Sequence, residues 1–144
     1  HTRFALVSWA RRCVIRDRDE LKKIAAENLD AARRRLMDIL CNYAGYRKCV
    51  PILVFDAYRV KGAGREQETW HNLHVIYTRE AETADMFIER ATHELAKNHR
   101  VRVVSSDGAE QIIILGNGAL RVSARAFERE VRAVEAEIRE FLDQ

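Results

Sequence analysis

The stretch Val50-Pro51-Ile52-Leu53-Val54-Phe55 is an unbroken apolar run, and Asp56 follows it directly. Strands that are covered on both faces are apolar at nearly every position, so this run predicts a strand in the interior of a parallel sheet. Pro51 cannot donate a hydrogen bond to a neighbouring strand and is therefore expected at the beginning of the strand. The run favours an α/β fold with helices on both faces of the sheet.

Apolar runs and amphipathic stretches alternate on both sides of this central run. Further strands are predicted at Phe4 to Val7, Leu73 to Tyr77 and Val101 to Val104. Helices are predicted at Asp19 to Tyr43 with a break near Asn28, at Thr83 to Asn98, at Glu110 to Leu115, and from a Ser123 cap onward. The last helix carries an apolar stripe of Phe127, Val131, Val134, Ile138 and Leu142. The polar segment from Arg59 to Asn72 predicts a loop.

The composition indicates one globular domain over residues 1–144, with 1–18 as an irregular first-strand region. Hydrophobic residues make up 47% and charged residues 33% of the 144 positions. No apolar run approaches the roughly 18 residues that span a membrane, and the first residues lack the pattern of a signal peptide. The cysteine count is three, which is odd, and no pair has C-x-x-C spacing, so a disulfide framework is not expected. These features predict a cytoplasmic protein without a membrane partner and leave its oligomeric state open.

Acidic residues follow each of the clear strands after the first. Asp56 follows one strand, Glu82 and Asp85 follow the next, and Asp107 follows the third. Carboxyl ends of parallel strands meet at one edge of the sheet, so these acids are candidate catalytic residues. Clustered carboxylates attract a cation, and Mg²⁺ or Mn²⁺ suits oxygen ligands and phosphodiester chemistry. Taken singly, Asp85 also fits a helix N-terminus and Asp107 an ordinary turn.

Basic residues form a second group of candidates. Arg59, Lys61 and Arg65 precede Trp70 in the predicted loop, and Arg121 and Arg125 flank the start of the last helix. Such side chains could hold RNA phosphates while Trp70 stacks on a base. The alternative is a solvated loop with Trp70 packed against the sheet. The net charge of +3 decides neither interpretation.

Four motifs resemble those of the YacP-like NYN domains, a family of PIN-like proteins, over about residues 19 to 144. They are Val54-Phe55-Asp56-Ala57 with Val60-Lys61-Gly62, Tyr77-Thr78 with Glu82-Thr83-Ala84-Asp85, Ser105-Ser106-Asp107 with Glu110-Gln111, and Gly116 to Arg125. The resemblance implies a PIN-like three-layer fold with a mostly parallel central sheet. It also implies a metal-dependent endoribonuclease that cuts single-stranded RNA, with the ribosome as a candidate partner.

The resemblance implies roles for residues on the matched motifs. The candidate catalytic acids are Asp56, Glu82, Asp85 and Asp107. Asp85 and Asp107 are the expected metal ligands, and Asp56 either binds the metal or holds a metal ligand in place. The RNA-facing surface would include Lys61, Arg121 and Arg125.

The first strand departs from the family pattern. Family members run from this strand into D-G-Y-N, whose Asp is an expected metal ligand. Aligned back from Asp19, Ala10 takes the place of that Asp and Arg11 the place of the Gly. Either Asp17 or Asp19 substitutes for the acid, or the chain is a catalytically impaired RNA-binding or ribosome-binding module. A third hypothesis is an interaction protein that uses the last helix.

Overall fold

The described strands form one sheet between two helical layers. A computed structural model describes residues 3–8, 19–55, 67–79, 82–105, 113–114 and 119–143. The strands are β1 (Arg3–Ser8), β2 (Val50–Phe55), β3 (Gln67–Trp70), β4 (Leu73–Tyr77), β5 (Arg100–Ser105), β6 (Ile113–Ile114) and β7 (Leu120–Ser123). The helices are α1 (Asp19–Glu27), α2 (Leu29–Arg47), α3 (Ala84–Leu95) and α4 (Ala124–Leu142).

The centre of the sheet is parallel and its edges are antiparallel. The strand order is β3-β4-β2-β1-β5-β7-β6. The pairs β4-β2, β2-β1, β1-β5 and β5-β7 are parallel, whereas β3 and β6 run antiparallel to β4 and β7. The predicted α/β class with a mostly parallel sheet is therefore confirmed.

Helices cover both faces of the sheet because its central strands are apolar on both faces. Val7 and Val104 belong to a core cluster with α2 and α4. Leu6 and Val103, one position earlier in each strand, belong to a second cluster with α3. Successive side chains of a strand point to opposite faces, so each central strand contributes to both clusters. The three-layer arrangement is confirmed.

Side-chain caps set the beginnings of three helices. Asn28 caps α2 by accepting a hydrogen bond from the Ala31 amide at 3.2 Å, which confirms the predicted break near this residue. Thr83 caps α3 in the same way, and Ser123 caps α4 as predicted, accepting from Ala126 at 3.1 Å. Replacing such a cap with Ala typically costs about 1 kcal/mol.

The structure corrects the sequence predictions at the two edges of the sheet. Part of the predicted loop, Gln67–Trp70, is strand β3. A two-residue turn at His71 and Asn72 reverses the chain, so that β4 pairs antiparallel with β3. His71 has a φ of 53°, the left-handed conformation that such hairpin turns need. Ile113–Ile114 is strand β6 and not helix, because it pairs with β7.

The far end of α4 also differs from the prediction. Phe127, Val131 and Val134 are buried as expected, and Ile138 is partly buried, but the side chain of Leu142 is 72% exposed. The apolar stripe therefore packs only along the first part of the helix. None of the described helices is long and apolar enough to cross a membrane.

Candidate active site

The carboxyl ends of the parallel strands lie at one edge of the sheet, which we call the carboxyl edge. Phe55 at the end of β2 pairs with Tyr77 at the end of β4. Ser105 at the end of β5 pairs with Ser123 at the end of β7. In open α/β sheets this edge is where ligands bind, and it is where the sequence places the candidate acids.

Asp85 reaches the end of the central strand β1. The Ser8 hydroxyl donates a hydrogen bond to Asp85 Oδ1 at 3.4 Å, across 77 residues of sequence. Ser8 is the last residue of β1 and is 1% exposed, whereas Asp85 is exposed. The carboxylate of Asp85 therefore lies over the middle of the carboxyl edge and remains open to solvent.

The start of α3 fixes the position of Asp85. Thr83 Oγ1 accepts from the Met86 amide at 3.1 Å, so α3 begins with Asp85 in its first turn. A carboxylate in the first turn complements the helix dipole. The preceding segment is tied to the sheet, since the Thr78 amide donates to the Phe55 carbonyl oxygen at 3.0 Å. Asp85 therefore satisfies both interpretations: its carboxylate complements the dipole of α3, and it lies at the carboxyl edge.

Glu82 is paired with a cation. Its Oε1 lies 3.0 Å from Arg90 Nη2, and Arg90 Nη1 donates to its Oε2 at 3.4 Å. The Glu82 side chain is only 16% exposed, so the pair neutralises a half-buried carboxylate. Both residues line a cleft of about 350 Å³ at the end of β4, together with Tyr77 and Phe87. The structure therefore places Glu82 beside this cleft, paired with Arg90 of α3.

Arg33 is a basic residue at the carboxyl edge that the sequence patterns did not single out. Its guanidinium lies 5.5 Å from the centre of the Phe55 ring, which itself stacks on Tyr77 at 5.6 Å. The Tyr77 hydroxyl donates to Glu68 Oε1 at 2.9 Å and anchors this stack to β3. Helical periodicity alone could not show that Arg33 reaches the end of β2.

The predicted basic residues of the last segment lie at or near the carboxyl edge. Arg121 is in β7, opposite Val103 of β5, and is partly exposed. Arg125 is exposed in the first turn of α4, two residues beyond the end of β7. Arg125 therefore lies near the end of β5, after which the chain continues toward Asp107.

Trp70 lies at the other end of β4. It pairs with Leu73, the first residue of that strand, and its Nε1 donates to Asp38 Oδ1 of α2 at 3.2 Å. Its carbonyl oxygen accepts from Cys41 Sγ at 3.4 Å. The structure therefore places Trp70 at the opposite end of β4 from Glu82 and Asp85, with its exposed side chain bonded to α2.

Several predicted site residues, and Ala10 at the place of the family's Asp, lie outside the described residues. They are Ala10, Asp17, Asp56, Arg59, Lys61, Arg65 and Asp107. Within the described ranges, no group of three or more His, Cys, Asp or Glu side chains could hold a metal ion. Among the described residues, Ser8 at the end of β1 is a neutral residue whose hydroxyl contacts Asp85.

Comparison with known proteins shows the family of this chain. The model of the YacP-like NYN domain matches residues 13–144. The chain belongs to this family. It is 41% identical over 120 residues to the YacP protein of Bacillus subtilis (strain 168), which covers 83% of this chain and 70% of that protein. The family match thus begins after β1, the strand whose sequence departs from the pattern.

Solved structures of the family show the same fold. The crystal structure of Rae1 (YacP) from Bacillus subtilis matches with a TM-score of 0.78 and 36% identity, over 97% of this chain and 79% of that one. A single-substitution mutant of the same protein matches with a TM-score of 0.75 and 34% identity, over 95% and 79%. NYN domains are generally nucleases and usually use divalent metals.

The donors at the end of β1 suit a hard divalent cation. Asp85 offers an exposed carboxylate, and the Ser8 hydroxyl oxygen lies beside it. Oxygen donors of this kind are what Mg²⁺ takes in proteins, usually with one or two carboxylates and several waters. The described part of the chain therefore offers ligands of the right chemistry.

Proposed function

We propose that this YacP-like NYN domain is a metal-dependent endoribonuclease that cleaves single-stranded RNA at its carboxyl edge. The observation that carries the proposal is the contact between Asp85 and the end of β1. In this contact the carboxylate lies beside the end of the central strand β1, and the neighbouring strands β2 and β5 precede Asp56 and Asp107 in the sequence. The ribosome is a candidate setting for the RNA substrate.

In this proposal the acids hold one or two Mg²⁺ or Mn²⁺ ions. Asp85 and Asp107 would be ligands, with Asp56 as a ligand or as a residue that holds one. A metal held there would supply positive charge for the leaving oxygen and for an attacking water. Asp85 would be held in place by its position in the first turn of α3.

The basic residues along the carboxyl edge would bind and orient the RNA. Arg125 and Arg33 lie on opposite sides of the β1 end, over β7 and β2 respectively. Phosphate contacts of this kind fix the register of a strand without reading its sequence. Lys61 and Arg121 would extend the same surface.

A second candidate function rests on Ser8. This residue sets a neutral hydroxyl beside Asp85, and Ala10 takes the place of the Asp in the family pattern, so the cation would lose one negative ligand. The chain would then be a catalytically impaired module that binds RNA or the ribosome. Its binding would depend strongly on salt, because phosphate contacts release counterions.

An end-labelled single-stranded RNA distinguishes the two functions. Cleavage with Mg²⁺ or Mn²⁺ that is lost with chelator and in Asp107→Asn supports the nuclease. Intact RNA beside salt-sensitive binding by the folded chain supports the binding module. Cleavage that survives both chelator and Asp107→Asn rules out the proposed metal-dependent mechanism.

A further inference from the structure

The cleft of about 350 Å³ that Glu82 lines opens beside α3, at the carboxyl end of β4. Gln67 of β3 and Ile76 of β4 form its floor. They lie directly opposite each other in the sheet, so their side chains are on the same face. Ile76 and Phe87 pack against the core cluster beneath α3. The floor is therefore on the face of the sheet that α3 covers, and Phe87 and Arg90 of α3 form the wall above it.

The cleft lies close to Asp85. Helix α3 carries Asp85 in its first turn and Arg90 five residues later, which is about 7.5 Å further along the helix axis. Only β2 separates the end of β4 from the end of β1, so about two strand spacings of about 4.8 Å lie between them. A single RNA strand bound across the carboxyl edge would therefore pass within reach of the cleft.

Contacts with two residues hold the guanidinium group of Arg90. Its Nη2 lies 3.0 Å from Glu82 Oε1, and its Nη1 donates to Glu82 Oε2 at 3.4 Å. Its Cζ lies 5.4 Å from the centre of the Phe87 ring, so the ring covers one flat face of the group. The Arg90 side chain is nevertheless 68% exposed. The opposite flat face of the guanidinium is therefore open.

A guanidinium plane with one open face is suited to stacking on a flat ring. Arginine side chains stack on the unpaired bases of RNA, and the compact ammonium group of lysine offers no such plane. Because Glu82 and Phe87 already hold Arg90, it has little side-chain freedom to lose when a ring binds. The ion pair with Glu82 also makes Arg90 a weaker phosphate ligand than an unpaired arginine would be. These features favour a base over a phosphate as the group that contacts Arg90.

The remaining surface of the cleft also suits a base. Ile76 and Phe87 are half-buried and apolar, whereas Gln67 is exposed at the first position of β3. The Gln67 amide offers both donors and an acceptor, and the edges of bases carry both kinds of group. The volume of the cleft is within the range of about 300 to 1,000 Å³ that is usual for small-ligand sites.

We propose that this cleft binds one nucleobase of the RNA strand, with the base stacked on the open face of Arg90 and its edge toward Gln67. The inference rests on the proposed function, because it takes RNA as the ligand of the carboxyl edge. Arg90 contacts the base, and Glu82 holds Arg90. The nucleotide in the cleft then sets which phosphodiester of the strand reaches Asp85.

Fluorescence anisotropy of the full chain, in chelator at low salt, tests the inference with two labelled RNA hexamers. One is hexaadenylate, and the other has the same sugar-phosphate backbone without bases. Hexaadenylate should bind at least about fivefold more tightly, because a stacked base contributes about this factor or more. Arg90→Lys should weaken hexaadenylate binding by at least about fivefold and leave the abasic hexamer unchanged, since lysine keeps the charge and loses the plane.

Arg132→Lys is the matched control. Arg132 of α4 is a similarly exposed arginine, at 60% against 68% for Arg90, and it too is paired with a glutamate, Glu128. Helix α4 packs on the other face of the sheet, so this substitution should change the affinity for neither hexamer. The inference is overturned if the two hexamers bind equally, if folded Arg90→Lys binds hexaadenylate as the unsubstituted chain does, or if Arg90→Lys weakens both hexamers alike.

The binding measurement does not depend on cleavage, so the two proposals can fail separately. Base-dependent binding through Arg90 by a chain that does not cleave RNA would reject the nuclease and keep the base site. Metal-dependent cleavage by a chain whose affinity for hexaadenylate is unchanged in Arg90→Lys would reject the base site and keep the nuclease.

Discussion

Ser8→Asp tests what the neutral residue at the end of β1 does. The substitution sets a second carboxylate beside Asp85, since the Ser8 hydroxyl now lies 3.4 Å from Asp85 Oδ1. Two negative charges at about this distance repel by about 5 kcal/mol at an effective dielectric of 20 and by about 1 kcal/mol in bulk water. Because Ser8 is buried and Asp85 is exposed, we expect an intermediate cost of about 2 to 3 kcal/mol without a cation.

Ser8→Asn is the matched control for this substitution. Asn has the shape of Asp without its charge, so both variants share any strain from the larger side chain. In chelator, Ser8→Asp should melt about 5 to 10 °C below Ser8→Asn, because 1 kcal/mol corresponds to about 2 to 4 °C for a chain of roughly this size. Mn²⁺ should close this gap, and Ser8→Asp should cleave RNA faster than the unsubstituted chain.

The difference in melting temperature between Ser8→Asp and Ser8→Asn shows whether the two carboxylates share a cation. If their melting temperatures differ by the same amount with Mn²⁺ as with chelator, the two carboxylates do not share a cation. The hypothesis that the neutral Ser8 weakens metal binding at this strand end would then be wrong. A loss of stability common to both variants would reflect packing alone.

Three other substitutions test the remaining parts of the site. Trp70→Phe should leave RNA cleavage unchanged and cost less than about 1.5 kcal/mol in urea unfolding, since it removes one exposed hydrogen bond remote from the acids. Glu82→Gln should lower cleavage by less than about tenfold if Glu82 only holds Arg90; a loss comparable to that of Asp85→Asn would show direct catalysis. Glu130→Gln should cost about 1.5 to 3 kcal/mol at neutral pH in urea unfolding, because Arg102 loses its charged partner. Burial would raise the pKa of Glu130, but hydrogen bonds from Arg102 and its charge lower it. This stabilisation is complete above the unfolded-state pKa of about 4.3 and is lost as pH falls through the lower folded-state pKa, so the cost of Glu130→Gln should shrink as the pH falls below about 4.3.

The interior of the fold could be predicted from the sequence because its elements are defined by their own residues. Val50–Phe55 is apolar throughout, and Asn28 and Ser123 cap helices through local hydrogen bonds. The edge strands could not be predicted in this way. Gln67–Trp70 lacks strict alternation and Ile113–Ile114 has two residues, so both depend on the neighbouring strand that pairs with them.

In the candidate site too, some positions follow from the local sequence and others depend on contacts between distant residues. The rule that acids follow strand ends predicted where Asp85 lies. The partner of Asp85 among the described residues is Ser8, 77 residues away, and no local pattern pointed to it. The approach of Arg33 to Phe55 likewise joins a helix to the end of a strand. Contacts between distant residues depend on the register of the sheet, which periodicity does not specify.

The most direct test of the central claim is cleavage of single-stranded RNA by Asp85→Asn, measured beside RNA binding in the same buffer with Mn²⁺. The expected result is loss of cleavage by at least about a hundredfold, the usual scale for removing a group that acts on the reacting atoms. RNA binding should persist, because the arginines of the carboxyl edge are unchanged. Undiminished cleavage by a folded Asp85→Asn chain would contradict the placement of the active site at this edge.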